Sequence, residues 1–275
     1  IAQISQDAGV RTINDFFNEE CVKDNFEKNS VKLINAAGVF FHLEELHSVI
    51  KGIKYALKDD GVFIIQFMYA GAMVDNGNFD TVYHEHLCYY TLRSVERLLE
   101  PYGLKVFDAY RTPIHSGSII AKVAHVDHLV DTGTTWTERY KKTAEEDKKY
   151  TLGEFLKLAN KVGSTKEQLR EYLTDLKEDG KTIYAYGAPA KGNTLLNYFG
   201  IGNSLISKAA EINELKIGHY LPKSHIPIVR ESEEDLPDYY LLLSHNFADE
   251  ILEKNKDVRD KGVKFIIPFP EFKVV

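Results

Sequence analysis

Residues 31–69 read VKLINAAGVFFHLEELHSVIKGIKYALKDDGVFIIQFMY, and this stretch decides the fold. Val31–Ala37 and residues 62–69 are apolar runs of strand length. Between them, apolar residues recur every three or four positions over residues 43–57, as in an amphipathic helix, and we expect Asp59-Asp60-Gly61 to end it. A strand, a crossover helix and a strand form a parallel βαβ unit, so we predict an α/β fold with a doubly wound sheet.

A second α/β pattern begins near residue 180. Residues 182–186 are a strand candidate, and the small-residue turn GAPAKGN at 187–193 leads into a helix pattern. Residues 127–179, between the two patterns, are rich in charge and carry helical spacing without strand signals. We therefore predict three parts: a sheet domain over residues 1–126, a helical connector over 127–179 and a second α/β domain over 180–275.

The bulk composition excludes several classes of protein. The 275 residues are 44% hydrophobic and 27% charged, with a formal net charge of -7, which argues against a nucleic-acid-binding surface. Cys21 and Cys88 are the only cysteines, so we expect neither a disulfide framework nor a cysteine-rich zinc site, and a reducing cytoplasmic location. Gln66 interrupts the best candidate for a membrane span.

The densest polar cluster is VYHEHLCYY at residues 82–90, with two histidines, a carboxylate and three phenols. Imidazole titrates near neutral pH, and phenol and carboxylate neighbours can orient it, so the cluster suits proton transfer. A structural interpretation is a strand end whose histidines hydrogen-bond to the backbone. A metal site is a further alternative, because His84 and His86 would share one face of a strand, although no fourth ligand is evident.

Other polar groups can be either ligand contacts or purely structural. In the turn at 187–193, Lys191 and Asn193 could meet a phosphate at the helix amino end, or the turn is simply tight. The same two interpretations are open for His42 at the carboxyl edge of the first sheet, His115-Ser116 before an edge strand, and Ser244-His245-Asn246 after a strand.

Three longer stretches carry a family resemblance. They are FDTVYHEHLCYYTL at 79–92, PIHSGS at 113–118 and AYGAPAKGNTLLNY at 185–198, and YLPKSHIPIV at 220–229 fits as well. With them the chain resembles the deoxysugar C-methyltransferases, S-adenosylmethionine-dependent enzymes that act on nucleotide-linked keto sugars. The resemblance implies a zinc module, a class I methyltransferase (Rossmann-like) domain and a Rossmann-like carboxyl-terminal domain, with the nucleotide-sugar between the last two.

Parts of that pattern have no counterpart in the sequence. The zinc module, the first strand and the glycine-rich cofactor loop are missing ahead of Ile1, so we expect a methyltransferase sheet that is incomplete at its N-terminus. Gly38 stands where the family usually has asparagine. The alternative function is therefore a non-catalytic nucleotide-sugar-binding protein with a vestigial methyltransferase domain.

The resemblance also implies roles for single residues. His86 is expected to act as the general base that forms an enolate, which then attacks the methyl group of S-adenosylmethionine. Glu85 would fix the tautomer of His86 or stabilise its charged form, and Tyr83 and His42 would hydrogen-bond the enolate oxygen. The predicted cofactor contacts are Ala36, Ala37 and Gly38, and the predicted substrate contacts are His115, Ser116, Gly187, Lys191 and Asn193. We expect a dTDP-linked sugar as substrate, no metal, no nucleic-acid or membrane partner, and a homodimer as one possible assembly.

Overall fold

The computed structural model describes residues 1–131, 136–232 and 234–275. Within them the helices are α1 (Ala2–Asp7), α2 (Glu19–Asn25), α3 (Leu46–Ala56), α4 (Ala70–Asn76), α5 (Leu92–Leu99), α6 (Val126–Asp131), α7 (Glu138–Asp147), α8 (Leu152–Glu178), α9 (Ala190–Phe199), α10 (Ala248–Lys254) and α11 (Lys256–Asp260). The strands are β1 (Val31–Ala37), β2 (Leu57–Met68), β3 (Leu104–Thr112), β4 (Ser118–His125), β5 (Ile183–Tyr186), β6 (Lys208–Glu211), β7 (Ile228–Arg230), β8 (Tyr239–Leu242), β9 (Lys264–Ile267) and β10 (Lys273–Val274). The predicted α/β class is confirmed.

The chain divides into two compact units. Unit 1 comprises residues 1–69 and 87–148, and unit 2 comprises residues 70–86 and 149–275. This division cuts through the predicted connector, because α7 packs on β3 whereas α8 belongs to unit 2. The domain boundaries predicted after residues 126 and 179 stay predictions, and residues 132–135 of the connector lie outside the described residues.

Unit 1 contains the predicted βαβ element. Its sheet has the order β1-β2-β4-β3, with β1 parallel to β2 and β4 antiparallel to both of its neighbours. The intervening helix α3 ends at Ala56, earlier than predicted, because Leu57 is buried and pairs with Val31 at the start of β2. The register then shifts before Leu33 pairs with Val62, so the polar residues 58–61 are accommodated within the strand rather than in a loop.

A buried carboxylate joins α5 to α7 in unit 1. Helix α5 starts with a capping box, in which the Thr91 and Ser94 side chains accept hydrogen bonds from each other's backbone N–H. Asp147 is fully buried at the same helix start and accepts hydrogen bonds from the Tyr69 hydroxyl (2.9 Å), the Leu92 N–H (3.1 Å) and the Arg93 N–H (3.2 Å) and Nε (3.0 Å). A carboxylate at this position satisfies helix-end N–H groups and complements the helix dipole.

A second acidic residue ties β3 to α7. The buried Asp108 carboxylate accepts hydrogen bonds from the Arg139 guanidinium and from the Thr137 hydroxyl (2.6 Å). The Arg139 hydrogen bonds are the main cause that lowers the pKa of Asp108 to about 2, against the opposing effect of burial. Asp108 is therefore ionised at neutral pH and holds α7 on the sheet.

Unit 2 is built on a sheet with the order β10-β9-β8-β5-β6-β7. Strands β5 to β9 are parallel, and only the short β10 runs antiparallel to its neighbour. Counted along the chain, the parallel strands lie in the order 5-4-1-2-3, which is the Rossmann arrangement and places the topological switch point between β5 and β8. The predicted Rossmann-like character of this part is confirmed. In the described part of the chain, no helix is long and apolar enough to cross a membrane.

Candidate active site

In unit 1, the predicted cofactor residues lie at the carboxyl end of β1. Ala36 and Ala37 pair with Ile65 and Gln66 of β2, and Gly38 follows with φ of +66°. That left-handed backbone conformation favours glycine over any residue with a side chain. The small residues keep the end of the strand open, at the sheet edge where α/β folds bind ligands.

Two polar side chains border this strand end. A Cβ on Gly38 would lie 3.4 Å from Nε2 of His115 and 3.5 Å from Oε1 of Gln66. Gln66 is buried within β2 and donates to the Ser118 hydroxyl (2.7 Å). In the sequence Gln66 is visible only as a break in an apolar run, although a buried amide in a central strand is itself a signal of a polar site.

The other predicted residues of unit 1 lie close by. His115 and Ser116 have φ of +52° and +64°, a strained conformation for residues with side chains that often marks functional loops. The ring of His42 lies 4.4 Å from the ring of Phe41, and the Phe41 ring lies 6.0 Å from that of His115. Unit 1 therefore brings Gly38, His42 and His115 together at one edge of its sheet.

In unit 2, a backbone hydrogen bond sets the tautomer of His86. Nδ1 of His86 lies 2.8 Å from the carbonyl oxygen of Thr81. Because a carbonyl can only accept, Nδ1 carries the proton, and Nε2 is the basic nitrogen of the neutral ring. The tautomer is thus fixed by the backbone of Thr81, whereas one of the two roles predicted for Glu85 was to fix it.

Tyr83 lies against the same histidine. The ring centroids of Tyr83 and His86 are 4.3 Å apart, and the ring centroid of His84 lies 6.2 Å from that of Tyr83. Burial, followed by the charges of Glu85 and Asp80, raises the pKa of the Tyr83 phenol. Tyr83 therefore keeps its proton at neutral pH and can act as a hydrogen-bond donor.

Unit 2 also contains a cavity of about 400 Å³. Tyr83 and His84 line it, together with Asn193 in the first turn of α9 and with Lys216 and His219 in the loop after β6. The N-cap of α9 is Pro189, which offers no side-chain acceptor to the N–H groups of the first turn. The cavity therefore combines a helix amino end with polar and cationic side chains.

The turn at the start of α9 is closed by an acidic residue of its own unit. Gly187 follows β5 with φ of +80°, and the Ala188 N–H donates to Glu211 (3.0 Å). Lys216 lies 3.6 Å from the Glu211 carboxylate and donates to the Ala188 carbonyl (2.9 Å). Glu211, at the end of β6, thus stabilises the turn at 187–193, for which a phosphate site and a simply tight turn were both open interpretations.

Lys191 has different surroundings from Asn193. Its ammonium lies 5.7 Å from the centre of the Phe247 ring and interacts with the charge of Asp80. Burial lowers the pKa of Lys191, and Asp80 acts in the opposite direction. Of the two residues predicted to contact a phosphate, Asn193 lines the cavity, whereas the Lys191 ammonium lies near the Phe247 ring and interacts with the charge of the buried Asp80.

That acid forms a pair that local sequence could not reveal. Oδ2 of Asp80 lies 3.0 Å from Nε2 of His245, and both side chains are buried. His245 follows β8, so the pair lies beside the topological switch point of the unit 2 sheet. Because 165 positions separate the partners, no role could be predicted for Asp80, and His245 kept both a ligand-binding and a structural interpretation.

Comparisons with known proteins agree with the resemblance. Residues 113–270 match the model of the family described as C-methyltransferase C-terminal domain. The chain is 35% identical over 280 residues to C-methyltransferase NovU of Streptomyces niveus, in an alignment that covers 100% of this chain. The chain spans 66% of the length of that relative.

Solved methyltransferase structures are similar over part of the chain. One is the Burkholderia thailandensis 1,6-didemethyltoxoflavin-N1-methyltransferase, at 16% identity and a TM-score of 0.34, covering 46% of this chain and 56% of the other. Another is a type 11 methyltransferase from Sulfolobus solfataricus, at 17% identity and a TM-score of 0.33, covering 45% of this chain and 63% of the other. These TM-scores are too low to support a conclusion. The family model, however, covers more than half of the sequence, and the chain belongs to the C-methyltransferase family.

Proposed function

We propose that the protein is an S-adenosylmethionine-dependent C-methyltransferase acting on a dTDP-linked keto-deoxysugar. Membership of the C-methyltransferase family supports methyl transfer to carbon. The observation that carries the mechanism is the hydrogen bond from Nδ1 of His86 to the Thr81 carbonyl, because it makes Nε2 the basic nitrogen. A protonated phenol, that of Tyr83, lies against the same ring.

Methylation at carbon requires a carbon nucleophile, and a ketone makes the neighbouring C–H acidic enough to supply one. In this mechanism Nε2 of His86 takes that proton, and the Tyr83 hydroxyl donates a hydrogen bond to the developing enolate oxygen. Glu85 stabilises the charged imidazolium that results. The hydrogen bond to the enolate oxygen that the resemblance implies for His42 of unit 1 stays a prediction.

S-adenosylmethionine would supply a methyl group bound to a positively charged sulfur. The methyl carbon of such a group is readily attacked by a carbon nucleophile. The residues of this chain that would hold it are Ala36, Ala37 and Gly38. They fit such a role, because a Cβ at Gly38 would take up the space beside His115 and Gln66 that the glycine leaves open. His115 and Ser116 are proposed to orient the sugar at the same edge of the sheet.

The unit 2 cavity is proposed to hold the nucleotide part of the substrate. Its volume of about 400 Å³ lies within the range typical of ligand pockets. The N–H groups of the first turn of α9 favour a phosphate, and Asn193, Lys216 and His219 add polar contacts. Lys216 is a more direct candidate than Lys191 for the phosphate contact, because Lys216 lines the cavity.

The proposal is tested with the variant His86→Asn, which removes Nε2 while keeping a donor near the Thr81 carbonyl. We expect formation of S-adenosylhomocysteine with a dTDP-keto-deoxysugar to fall by at least about 100-fold, while calorimetry still detects binding of the sugar nucleotide. His47→Asn is the matched control, because His47 is exposed and pairs only with the Tyr102 hydroxyl among the contacts described (2.7 Å). Turnover by His86→Asn within tenfold of the parent would remove His86 from this role.

The non-catalytic alternative is favoured by one observation, which is that the cavity's lining, as far as the structure describes it, consists of unit 2 residues. A sugar nucleotide could therefore bind without any contribution from the methyltransferase sheet. This alternative predicts that the dTDP-sugar binds while S-adenosylmethionine neither binds nor is consumed. Parallel calorimetric titrations with the two ligands separate the two functions.

A further inference from the structure

The segment 79–86 carries the proposed general base, and it is held by unit 2 at its start. Its first residues form a short 3₁₀ helix, Phe79–Thr81. The ring of Phe79 stacks on that of Phe199, with 5.3 Å between centroids and 9° between planes, and lies 5.2 Å from that of Phe269. These contacts place the next residue, Asp80, inside the unit, where its side chain is fully buried.

Asp80 is poorly satisfied for a buried carboxylate. Oδ2 has one hydrogen-bond partner, Nε2 of His245 at 3.0 Å, and Oδ1 has none among the described residues. Lys191 supplies a nearby positive charge. Since burying a polar group without a hydrogen bond is unfavourable, the bond from His245 is the main specific contact that keeps Asp80 in this position.

Short-range hydrogen bonds connect this position to His86. The Thr81 N–H and hydroxyl both donate to the Asn78 carbonyl (3.2 and 2.7 Å), and the Tyr83 N–H donates to the Thr81 carbonyl (3.1 Å). That same Thr81 carbonyl accepts from Nδ1 of His86. The acceptor that sets the tautomer of His86 is therefore the carbonyl of the residue next to Asp80.

We infer that Asp80 and His245 are positioning residues, which hold the Thr81 carbonyl where it fixes His86 with Nδ1 protonated and Nε2 basic. Neither residue touches the substrate in this scheme. The effect of the two residues on catalysis rests on the proposed function of His86. Their effect on the tautomer of His86 does not.

The variants His245→Leu and His245→Gln provide the test. Leucine removes the donor to Asp80, whereas the glutamine amide can restore a donor near the place of Nε2. With the full chain labelled with ¹⁵N-histidine, NMR should show that the parent His86 is protonated at Nδ1. His245→Leu should populate the other tautomer by a measurable fraction, and His245→Gln should return it to the parent state.

An activity measurement gives an independent result. We expect kcat for methyl transfer to fall by about tenfold or more in His245→Leu, with KM for the sugar nucleotide within about twofold, and His245→Gln to recover most of the loss. If His245→Leu does not fold, the comparison of His245→Gln with Asp80→Ala serves in its place. An unchanged His86 tautomer in a folded His245→Leu protein would overturn the inference. If the parent shows no methyl transfer but His245→Leu still changes the tautomer of His86, the proposed function is contradicted and the positioning role is supported.

Discussion

Two aspartates, one in each unit, are completely buried and yet have opposite surroundings. Asp147 in unit 1 accepts hydrogen bonds from a hydroxyl, from two backbone N–H groups and from the Arg93 side chain. Asp80 in unit 2 accepts one hydrogen bond from His245, and its second oxygen has no hydrogen-bond partner among the described residues. Burial alone therefore does not distinguish a structural carboxylate from one near a site.

The difference follows from what each carboxylate is next to. Asp147 lies at the amino end of α5, where free N–H groups and the helix dipole stabilise a negative charge. Asp80 directly precedes Thr81, whose carbonyl sets the tautomer of His86. A fully satisfied acid contributes stability, and an incompletely satisfied one is retained where it fixes the geometry of a reactive group.

The largest loss of stability is expected when Asp147 is replaced. Replacement by asparagine removes the charge that faces Arg93 and α5 and leaves buried donors without an acceptor, so we expect a loss of roughly 3 kcal/mol in the free energy of unfolding. Urea unfolding followed by circular dichroism measures it. A loss below about 1 kcal/mol would remove the structural role given to Asp147.

The next effect is a dependence on acid pH through Asp108. A carboxyl whose pKa is lowered by folding, here to about 2 from 3.8, contributes stability above its unfolded value, and that stability is lost as pH falls towards 2. We expect roughly 1–2 kcal/mol between pH 5 and pH 2, measured as the difference between the parent and Asp108→Asn. The matched variant Asp60→Asn removes an exposed ion pair with Lys32 and should barely change the profile.

A smaller effect is expected at the start of α5. Thr91→Ala removes the side chain that caps the helix and should cost about 1 kcal/mol of unfolding free energy. Thr151→Ala is the matched control, because Thr151 occupies the N-cap of α8 without a side-chain cap hydrogen bond. Equal losses in the two variants in urea unfolding would contradict the assignment of the capping box.

The smallest effect on stability is expected at Asp80 itself. In Asp80→Asn the amide oxygen can still accept from His245, while the cost of burying a charge disappears, so the free energy of unfolding should change by less than about 1 kcal/mol. Urea unfolding of Asp80→Asn and Asp147→Asn under the same conditions compares the contributions of the two aspartates to stability directly. A loss at Asp80 as large as that at Asp147 would show that both acids serve stability alone.

Local signals in the sequence predicted the elements well. The predicted strand, helix and strand of residues 31–69 depend on residues a few positions apart, and the structure confirms them as β1, α3 and β2. The predicted end of α3 was wrong, because the pairing of Leu57 with Val31 overrides the helical pattern that continues to Leu57.

Contacts between distant segments escaped prediction. Asn78 and Asp80 belong to a short polar stretch that follows α4, yet both side chains are buried within unit 2. The partner of Asp80 lies 165 positions away, and nothing in the local pattern marks it. Gln66 was visible as a polar residue in an apolar strand, but its neighbours Gly38 and Ser118 come from other strands or their ends.

The central claim, that His86 removes a proton from carbon, is tested most directly by isotope exchange. A dTDP-linked keto-deoxysugar is incubated with the protein in deuterated buffer, and NMR follows exchange of the protons next to the ketone. We predict exchange well above the buffer rate for the parent and for His47→Asn, and a fall of at least about 100-fold for His86→Asn. Equal exchange rates for the parent and His86→Asn would contradict the claim.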